Sequence, residues 1–370
     1  MSTLQDLFKK EGAMLFQNES IALDRYYLEP YQDANDDDAD SYDLSKIFET
    51  APIKTKKHLD IIDIPFSLFH FFMDGSRRTY KIGDLVISGK KIYPVIAAQI
   101  RAGCARRHAS KISKHTILAQ NYLLISSSFN DVNFDVLKMR VRKCSHLAHP
   151  FMVEKYTFNK MKDSAPNNAA IAKSNSLMHR LEIDILTEMV KTKVLDTDKM
   201  LIVDGPLQFL AEDTGKDDFA DLFYNVVGVS KSFDPNLSMS DRRGGPHIGA
   251  QILGLNYGER TPVFHKRNSR GREFGFWYLR IRHKYNVRNP LDGIIKVEKM
   301  ATKEDKENGL DSDVVDNISL SLIAESIPTC HGKDDRWPNH LYPIYLTETM
   351  IKSTYASDVA FINQFQRDAF

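Results

Sequence analysis

The sequence has almost no net charge, few cysteines and no long hydrophobic run. Its 50 Lys and Arg side chains balance 49 Asp and Glu, which argues against a basic nucleic-acid-binding tail and against an acidic disordered protein. Three cysteines at wide spacing exclude a disulfide framework and are typical of a reducing compartment. No window holds the roughly 18 apolar residues of a membrane span, and the first residues lack the pattern of an export signal. We therefore expect a soluble, cytoplasmic protein that does not contact membranes.

The balanced total hides two unlike segments. Residues 1–50 contain 4 basic and 12 acidic side chains, a net charge of −8, whereas residues 51–370 contain 46 and 37, a net charge of +9. We predict an N-terminal helical and acidic extension over residues 1–50, with short helices within 1–30 and a solvated acidic loop at 33–43. Residues 51–370 are predicted to form one globular domain, and its basic charge favours a partner that carries phosphates.

Strands and helices are mixed in an order that predicts a single mixed α/β domain. Strands are expected at 61–73, 117–126, 199–205, 222–230, 274–282 and 293–297, with two more around a turn within 83–93. Helices are expected at 167–193, 314–326 and 346–361. Asn167 or Asn168 can cap the first of these helices. The acid-rich stretch 301–316 is expected to be a loop.

Two aspartates share a sequence context that suits metal binding. Asp74 and Asp204 each follow an apolar run of strand type and each precede a glycine. Asp-Gly is also a common turn dipeptide for purely conformational reasons, so one such site would carry little weight. Two of them resemble the acidic groups that α/β folds place at the C-terminal ends of strands. Carboxylates in that position suit hard divalent cations.

Glu182 and Lys231 are the next candidates. On a helical projection Glu182 lies about 40° from Met178, inside the apolar arc of the longest predicted helix. A carboxylate there is costly unless it is paired or bound to a metal, and a salt bridge explains it as well as a metal does. Lys231 follows a predicted strand; it is either an ordinary surface lysine or, beside carboxylates and a phosphate, a group that stabilises developing charge.

The stretch 265–288 is rich in basic and aromatic residues, with Glu273 as its only acid. Arg and Lys along a DNA path bind phosphates without reading sequence. We expect its aromatic residues to enter the core and its basic face to contact DNA; the alternative is that the basic residues merely face water. The predicted DNA-binding residues are Arg77, Lys266, Arg267, Arg270, Arg272, Arg280 and Arg282.

The order of these short motifs resembles the NurA nuclease family. The resemblance covers roughly residues 66–362 and comprises Asp74-Gly75-Ser76, the helical Glu182, Val203-Asp204-Gly205-Pro206-Leu207, Gly228-Val229-Ser230-Lys231, Gly293-Ile294-Ile295-Lys296-Val297-Glu298 and Tyr342-Pro343. It implies an RNase H-like mixed sheet flanked by helices. It also implies a Mn²⁺- or Mg²⁺-dependent deoxyribonuclease that works with a hexameric HerA-type ATPase, as a homodimer, in DNA repair or in defence against foreign DNA.

Carried over from the family, Asp74, Glu182 and Asp204 are the implied metal ligands and catalytic residues, with Lys231 close by. The family usually has a histidine shortly after the Tyr-Pro pair, and here the matching place reads Glu348-Thr349-Met350. Either Glu348 substitutes as an oxygen ligand or the position is lost. The alternative hypothesis is therefore a catalytically degenerate DNA-binding adaptor subunit of the ATPase complex.

Overall fold

The computed structural model describes residues 8–9, 13–22, 41–61, 67–87, 91–129, 134–143, 150–160, 165–207, 223–235, 248–268, 271–284, 289–330 and 337–368. Over these residues the chain forms one large mixed sheet with helices packed on its faces. The mixed α/β architecture predicted from the sequence is confirmed. None of the described helices is both long and apolar enough to cross a membrane.

The described strands are β1 (Ala13–Ala22), β2 (Ser41–Ile47), β3 (Lys57–His58), β4 (Phe69–Ile87), β5 (Lys91–His108), β6 (Lys111–Ser126), β7 (Phe151–Tyr156), β8 (Met200–Asp204), β9 (Val226–Ser230), β10 (Glu259–Arg260), β11 (Phe264–Arg267), β12 (Glu273–Arg280) and β13 (Ile294–Met300). The described helices are α1 (Phe134–Lys143), α2 (Pro166–Lys191), α3 (Gly249–Leu253), α4 (Lys303–Asn308), α5 (Ser312–Glu325), α6 (Tyr342–Lys352) and α7 (Asp358–Asp368), with a 3-10 turn at Trp337–Asn339.

The strand order across the sheet is β2-β11-β12-β13-β9-β8-β4-β5-β6-β7, with β1 beside β4 and β10 beside β12 and β3. The pairs β4–β8, β8–β9 and β6–β7 are parallel, and the other neighbours are antiparallel. The first part of β4 thus forms a parallel centre with β8 and β9, and Asp74 of β4 lies level with the carboxyl end of β8, the edge at which α/β folds commonly place functional groups.

Each face of this centre is covered by a different set of helices. On one face, Met73 and Val203 pack against α2 residues such as Leu186. On the other face, Phe72 and Ile202 pack with apolar residues of α5 and α6. Successive strand residues alternate between faces, so the paired segments Phe71–Met73, Met200–Val203 and Val226–Val229, which are buried on both sides, are apolar throughout.

Several predicted elements differ from those observed. Residues Ala13–Ala22 are not helical but form β1, which pairs with β4. The acid-rich stretch 301–316 is not a loop, because Thr302 and Asp305 form a reciprocal capping box that starts α4. Neither Asn167 nor Asn168 caps α2; Ala165 occupies the cap position, and Pro166 supplies a backbone angle that suits the first helical turn.

The predicted boundary at residue 50 stays a prediction. Both β1 and β2, which precede it, hydrogen-bond to strands of the large sheet, to β4 and β11 respectively. The acidic residues of the predicted loop that precede Ser41 lie outside the described residues.

Candidate active site

Asp74 and Asp204 lie side by side on neighbouring parallel strands. Met73 pairs in register with Val203, so the two aspartates that follow them stand at the same level of the sheet. Phe72 packs in the cluster that includes α5 and α6. Since side chains two residues apart share a face of a strand, the carboxylate of Asp74 is directed to that same face. The structure therefore brings together two acids that are 130 residues apart in sequence.

Asp74 does not end its strand, and the prediction of a turn at Asp74-Gly75 is wrong. β4 continues to Ile87, and Asp74 pairs with Gly103 of β5, which offers the backbone a continuous partner. The glycine serves packing instead of a turn. A Cβ at Gly75 would lie 2.6 Å from Oε1 of Glu182, so only glycine lets α2 approach the strand this closely.

Asp204 ends β8, and the chain turns sharply after it. Gly205 has a φ of +117°, a conformation that glycine adopts without steric cost. Two residues on, the backbone N–H of Leu207 donates a hydrogen bond of 3.1 Å to Oε2 of the buried Glu298. The turn that follows Asp204 is thus stabilised by the carboxylate of Glu298.

Lys231 reaches the aspartates from the end of β9. Its Nζ lies 2.7 Å from Oδ2 of Asp204, and its side chain is only 9% exposed. Burial by itself lowers the pKa of Lys231, but the negative charges of Asp204, Asp74 and Glu348 outweigh burial and raise it. The ammonium therefore stays charged beside the acids.

Asn339, which the sequence did not single out, fixes the backbone at Lys231. Its Nδ2 donates a hydrogen bond of 2.9 Å to the Lys231 carbonyl, while its Oδ1 accepts one from the Gly293 N–H. The side chain of Asn339 is buried. It ties the end of β9 to the turn before β13, and so limits where the Lys231 ammonium can go.

Asp74 has the most strongly perturbed carboxyl of this group. Burial raises the pKa of Asp74 well above its ordinary value, the charge of Asp204 raises it further, and Lys231 opposes them. Glu348 and Glu182 add smaller contributions in the same direction as Asp204. One lysine thus faces an excess of carboxylates, and perturbed groups of this kind are typical of functional sites.

Glu348 joins the site from α6. This helix packs closely on the sheet because Gly103 has no side chain; a Cβ there would lie 2.7 Å from Cγ1 of Ile351. Burial alone raises the pKa of Glu348, but a hydrogen bond from Lys352 and the charge of Lys231 lower it overall. Glu348 is therefore an ionised carboxylate within electrostatic range of Asp74.

Glu182 is buried on α2, with 1% of its surface exposed. Its Oε2 lies 2.9 Å from Nδ1 of His179, a residue three positions earlier whose spacing is the helical signal that could have identified it. Glu182 lies over Gly75, hence on the face of β4 opposite to the one that Asp74 uses. It contributes to the field at Asp74 but does not share its face.

The basic face expected within residues 265–288 is corrected by the structure. The aromatic residues Phe274, Phe276, Trp277 and Tyr278 are buried as expected, yet Lys266, Arg280 and Arg282 are buried too. β11 and β12 lie inside the sheet, and the arginines donate to carbonyls of Asp292 and Ser326.

Of the other predicted DNA contacts, Arg267 is exposed, Arg272 is half-buried and Arg270 lies outside the described residues. Arg77 is half-buried and donates to Asn175 of α2.

The donor set of the site suits a hard divalent cation, because it consists of carboxylate oxygens. Within the described ranges, however, no three His, Cys, Asp or Glu side chains already stand as a metal-binding group. Two observations account for this arrangement: Asp204 is engaged by Lys231, and Glu182 lies across the strand from Asp74. The carboxylates of Asp74, Asp204 and Glu348 fit the chemistry of Mn²⁺ or Mg²⁺ and are the residues that would hold such an ion.

Comparison with solved structures gives a distant likeness. No protein-family model and no curated protein matches the sequence. The crystal structure of the NurA nuclease from Sulfolobus solfataricus is similar over 80% of this chain and 82% of that chain, with 12% identity and a TM-score of 0.43. At that distance, function has to be argued from the residues of the site.

Proposed function

We propose that this chain is a divalent-metal-dependent deoxyribonuclease that hydrolyses phosphodiester bonds with Mn²⁺ or Mg²⁺. One observation carries the proposal: Asp74 is buried beside Asp204, its pKa is raised by burial and by the charges of Asp204, Glu348 and Glu182, and Lys231 is the cation that opposes this rise. A buried excess of carboxylates is costly unless a cation or a proton relieves it. The motif order shared with the NurA family supports the same reaction class.

Asp74 and Asp204 would hold the ion, with Glu348 beside them on the same face of β4. Glu182, a ligand by the sequence resemblance, lies over Gly75 on the other face and would act on Asp74 through its charge. When bound, Mn²⁺ or Mg²⁺ supplies a Lewis acid that lowers the pKa of a coordinated water and offsets charge on phosphate oxygens. The protein's part is to hold these carboxylates in fixed positions. Pairing of Asp74 with Gly103, and the turn of Gly205 after Asp204, provide that rigidity.

Lys231 is placed to act on the substrate. Its ammonium already pairs with Asp204 and remains protonated. A phosphodiester entering this end of the sheet would meet Lys231 as the one cation that faces the acids from β9. There it can bind a phosphate oxygen and stabilise the negative charge that develops during cleavage. Asn339 positions it through the backbone.

The same proposal includes DNA as substrate and a HerA-type hexameric ATPase as partner, with the chain acting as a cytoplasmic homodimer in DNA repair or defence. Support for this part comes from the sequence resemblance and from the net charge of +9 over residues 51–370. The exposed Arg267 and the half-buried Arg272 remain candidates for phosphate contact.

A cleavage assay tests the proposal directly. Purified wild type, Asp74→Asn and Asp204→Asn are compared on single- and double-stranded DNA with Mn²⁺, Mg²⁺ or EDTA. We expect both variants to lose about a thousandfold in rate, because metal-mediated charge stabilisation supplies several kcal/mol. Asp84→Asn is a matched control on the same strand, where Asp84 pairs with Lys81. Unchanged cleavage by both Asp74→Asn and Asp204→Asn would refute the assignment of these residues to the metal site.

A second candidate function is a DNA-binding adaptor of the ATPase that does not cut. Glu348 in place of a histidine and the engagement of Asp204 by Lys231 favour it. This adaptor would bind DNA and stimulate the partner's ATP hydrolysis, with no cleavage under any divalent ion. Running the cleavage assay with and without the ATPase separates the two functions.

A further inference from the structure

An exposed basic surface lies at the tip of the hairpin formed by β5 and β6, which join through the turn Ala109-Ser110. We call it the hairpin surface. Its five members are exposed: Arg106, His108, Lys111, Lys114 and His115. Lys266, Arg280 and Arg282, which the sequence suggested as DNA contacts, are buried instead. The cations of the hairpin are therefore better placed to meet a large polyanion.

The strand register places four members of the hairpin surface on one face. His108 pairs with Lys111, and Arg106 is two residues before His108, so these three share a face. Arg106 and His115 both lie against Phe71, with the Arg106 Cζ 5.8 Å and the His115 ring centroid 5.3 Å from the centre of the phenylalanine ring. Phe71 is buried in the sheet. The basic face is thus anchored to the hydrophobic core.

The hairpin surface lacks carboxylate partners among the described residues. Residues 85–130 contain no Asp or Glu. Arg106, Lys111 and Lys114 form no ion pair with any residue that the structure describes. The pKa of His115 is lowered by burial and by the charge of Arg106, so the neighbouring charge that acts on this histidine is positive. A polyanion can therefore meet these cations without displacing an internal partner.

The composition of the hairpin surface favours duplex DNA over single strands. Proteins that bind single strands combine basic residues with aromatic side chains on which bases stack. Residues 106–115 contain no Phe, Tyr or Trp. Duplex DNA presents one negative charge per about 1.7 Å of its axis, so several cations of the surface can meet phosphates together. Contacts of this kind do not depend on base sequence.

We propose that the hairpin surface holds duplex DNA by its phosphates. The choice of DNA rests on the proposed function, whereas the surface itself does not. Asp74 pairs with Gly103, and Arg106 lies three residues farther along β5, about 10 Å away. Asp74 and Phe71, which Arg106 contacts, are an odd number of positions apart and so use opposite faces of β4. The hairpin surface is thus separate from the carboxylate site, and it retains DNA without taking part in cleavage.

Fluorescence anisotropy with a short labelled duplex in EDTA measures binding without cleavage. The variant combines Arg106→Gln, Lys111→Gln and Lys114→Gln, all at exposed positions. We expect affinity to fall at least about tenfold, and the slope of log K against log salt to fall by about 2–3, because each lost phosphate contact removes about 0.9. The matched control combines Lys191→Gln, Lys303→Gln and Lys306→Gln, which removes the same charge from exposed positions on α2 and α4 and should bind like wild type.

Lys111→Gln alone, next to the turn, should lower the salt slope by about 0.9 and decides the matter should the triple variant fail to fold. A folded hairpin variant with wild-type affinity and slope would overturn the proposal. Equal losses in the hairpin and control variants would reduce the effect to net charge and also overturn it. So would a single strand that binds as tightly as the duplex, or wild type that binds phosphatidylserine vesicles but not DNA. Hairpin-dependent binding by a wild type that cuts DNA under no divalent ion would support this surface and remove the nuclease proposal alone.

Discussion

Two buried carboxyl groups, Asp74 and Glu298, lie in the same sheet, and their pKa values move in opposite directions. Burial raises the pKa of Asp74, and Asp204 adds to the rise. Burial also acts to raise the pKa of Glu298, but Lys266 and Lys296 outweigh it and lower the value to about 2. Glu298 has two lysines at 3.7 and 2.7 Å, whereas Asp74 shares one lysine with other acids.

This difference distinguishes the structural ion cluster around Glu298 from the candidate site around Asp74. Glu298 is paired with two lysines, Lys266 and Lys296, and accepts a hydrogen bond from the Leu207 N–H, so this carboxylate needs no further cation. Around Asp74, the neighbouring carboxylates of Asp204, Glu348 and Glu182 raise its pKa and Lys231 opposes them. The sign of the charge around the buried carboxyl group, rather than burial itself, distinguishes the two.

The largest expected effect comes from removing the negative charge of Glu298 from between its two lysines. Glu298→Gln should lower the free energy of unfolding by about 3–5 kcal/mol, because it leaves two lysines buried without their counter-charge. Guanidinium denaturation at pH 7 measures this, with the exposed Glu307→Gln as control.

The pH dependence of that loss follows from the lowered pKa. The ionised Glu298 contributes stability above its ordinary pKa of 4.5, and the contribution is lost as pH falls through the folded value of about 2. The wild type and Glu298→Gln should therefore converge in acid. A difference that stays constant down to pH 2 would contradict the role given to this carboxylate.

The next largest expected effect is stabilisation by a bound metal ion. It should depend on the carboxylates around Asp74 and not on Glu298. At a free concentration of about 100 times the dissociation constant, Mn²⁺ should stabilise wild type by about 2.7 kcal/mol. Thermal unfolding with and without Mn²⁺ measures the shift. Asp74→Asn should lose it, and Asp84→Asn should keep it. An equal shift in Asp74→Asn would place the ion elsewhere.

Asp74→Asn without metal should stabilise the fold by about 1–2 kcal/mol at pH 7, because removing excess charge from a functional site commonly does so. The folded pKa of Asp74 is raised, so its favourable contribution is present at low pH and is lost as pH rises through that folded value. The advantage of the variant should consequently shrink in acid. A destabilised Asp74→Asn at pH 7 would show that the acids are balanced after all.

The smallest expected effect is the change in stability on removing Lys352, which lies at the solvent-exposed edge of the site. Lys352 hydrogen-bonds to Glu348, but its side chain is 52% exposed, so water screens the pair. Lys352→Met should change the free energy of unfolding by less than about 0.5 kcal/mol. Urea denaturation checks this. A loss of several kcal/mol would mean that Lys352, and not only Lys231, balances the acids.

The elements around the site were predictable where local patterns decide them. The apolar run ending at Asp204 and the helical period around Glu182 predicted β8 and the interior of α2. Asp74 was placed at a strand end because Asp-Gly usually turns, whereas the distant β5 keeps its backbone extended. Pairing between segments far apart in sequence also explains why β1 was expected to be helical.

Partners of the site residues were harder to predict. His179 has a local signal, its spacing of three from Glu182, but Asn339 contacts Lys231 from 108 positions away and shows none. Lys266, Arg280 and Arg282 look like a basic surface in the sequence. Only the tertiary structure shows that Lys266 pairs with a buried carboxylate and that the two arginines donate hydrogen bonds to backbone carbonyls.

Asp74 and Glu348 are held in the site by different means. The backbone of Asp74 is hydrogen-bonded within a strand pair that continues on both sides of it, so its carboxylate can change rotamer but its backbone is fixed. Glu348 belongs to a helix joined to the sheet by side-chain packing, notably over Gly103. If the proposed site binds a cation, adjustment to ions of different radius would fall to α6 rather than to β4.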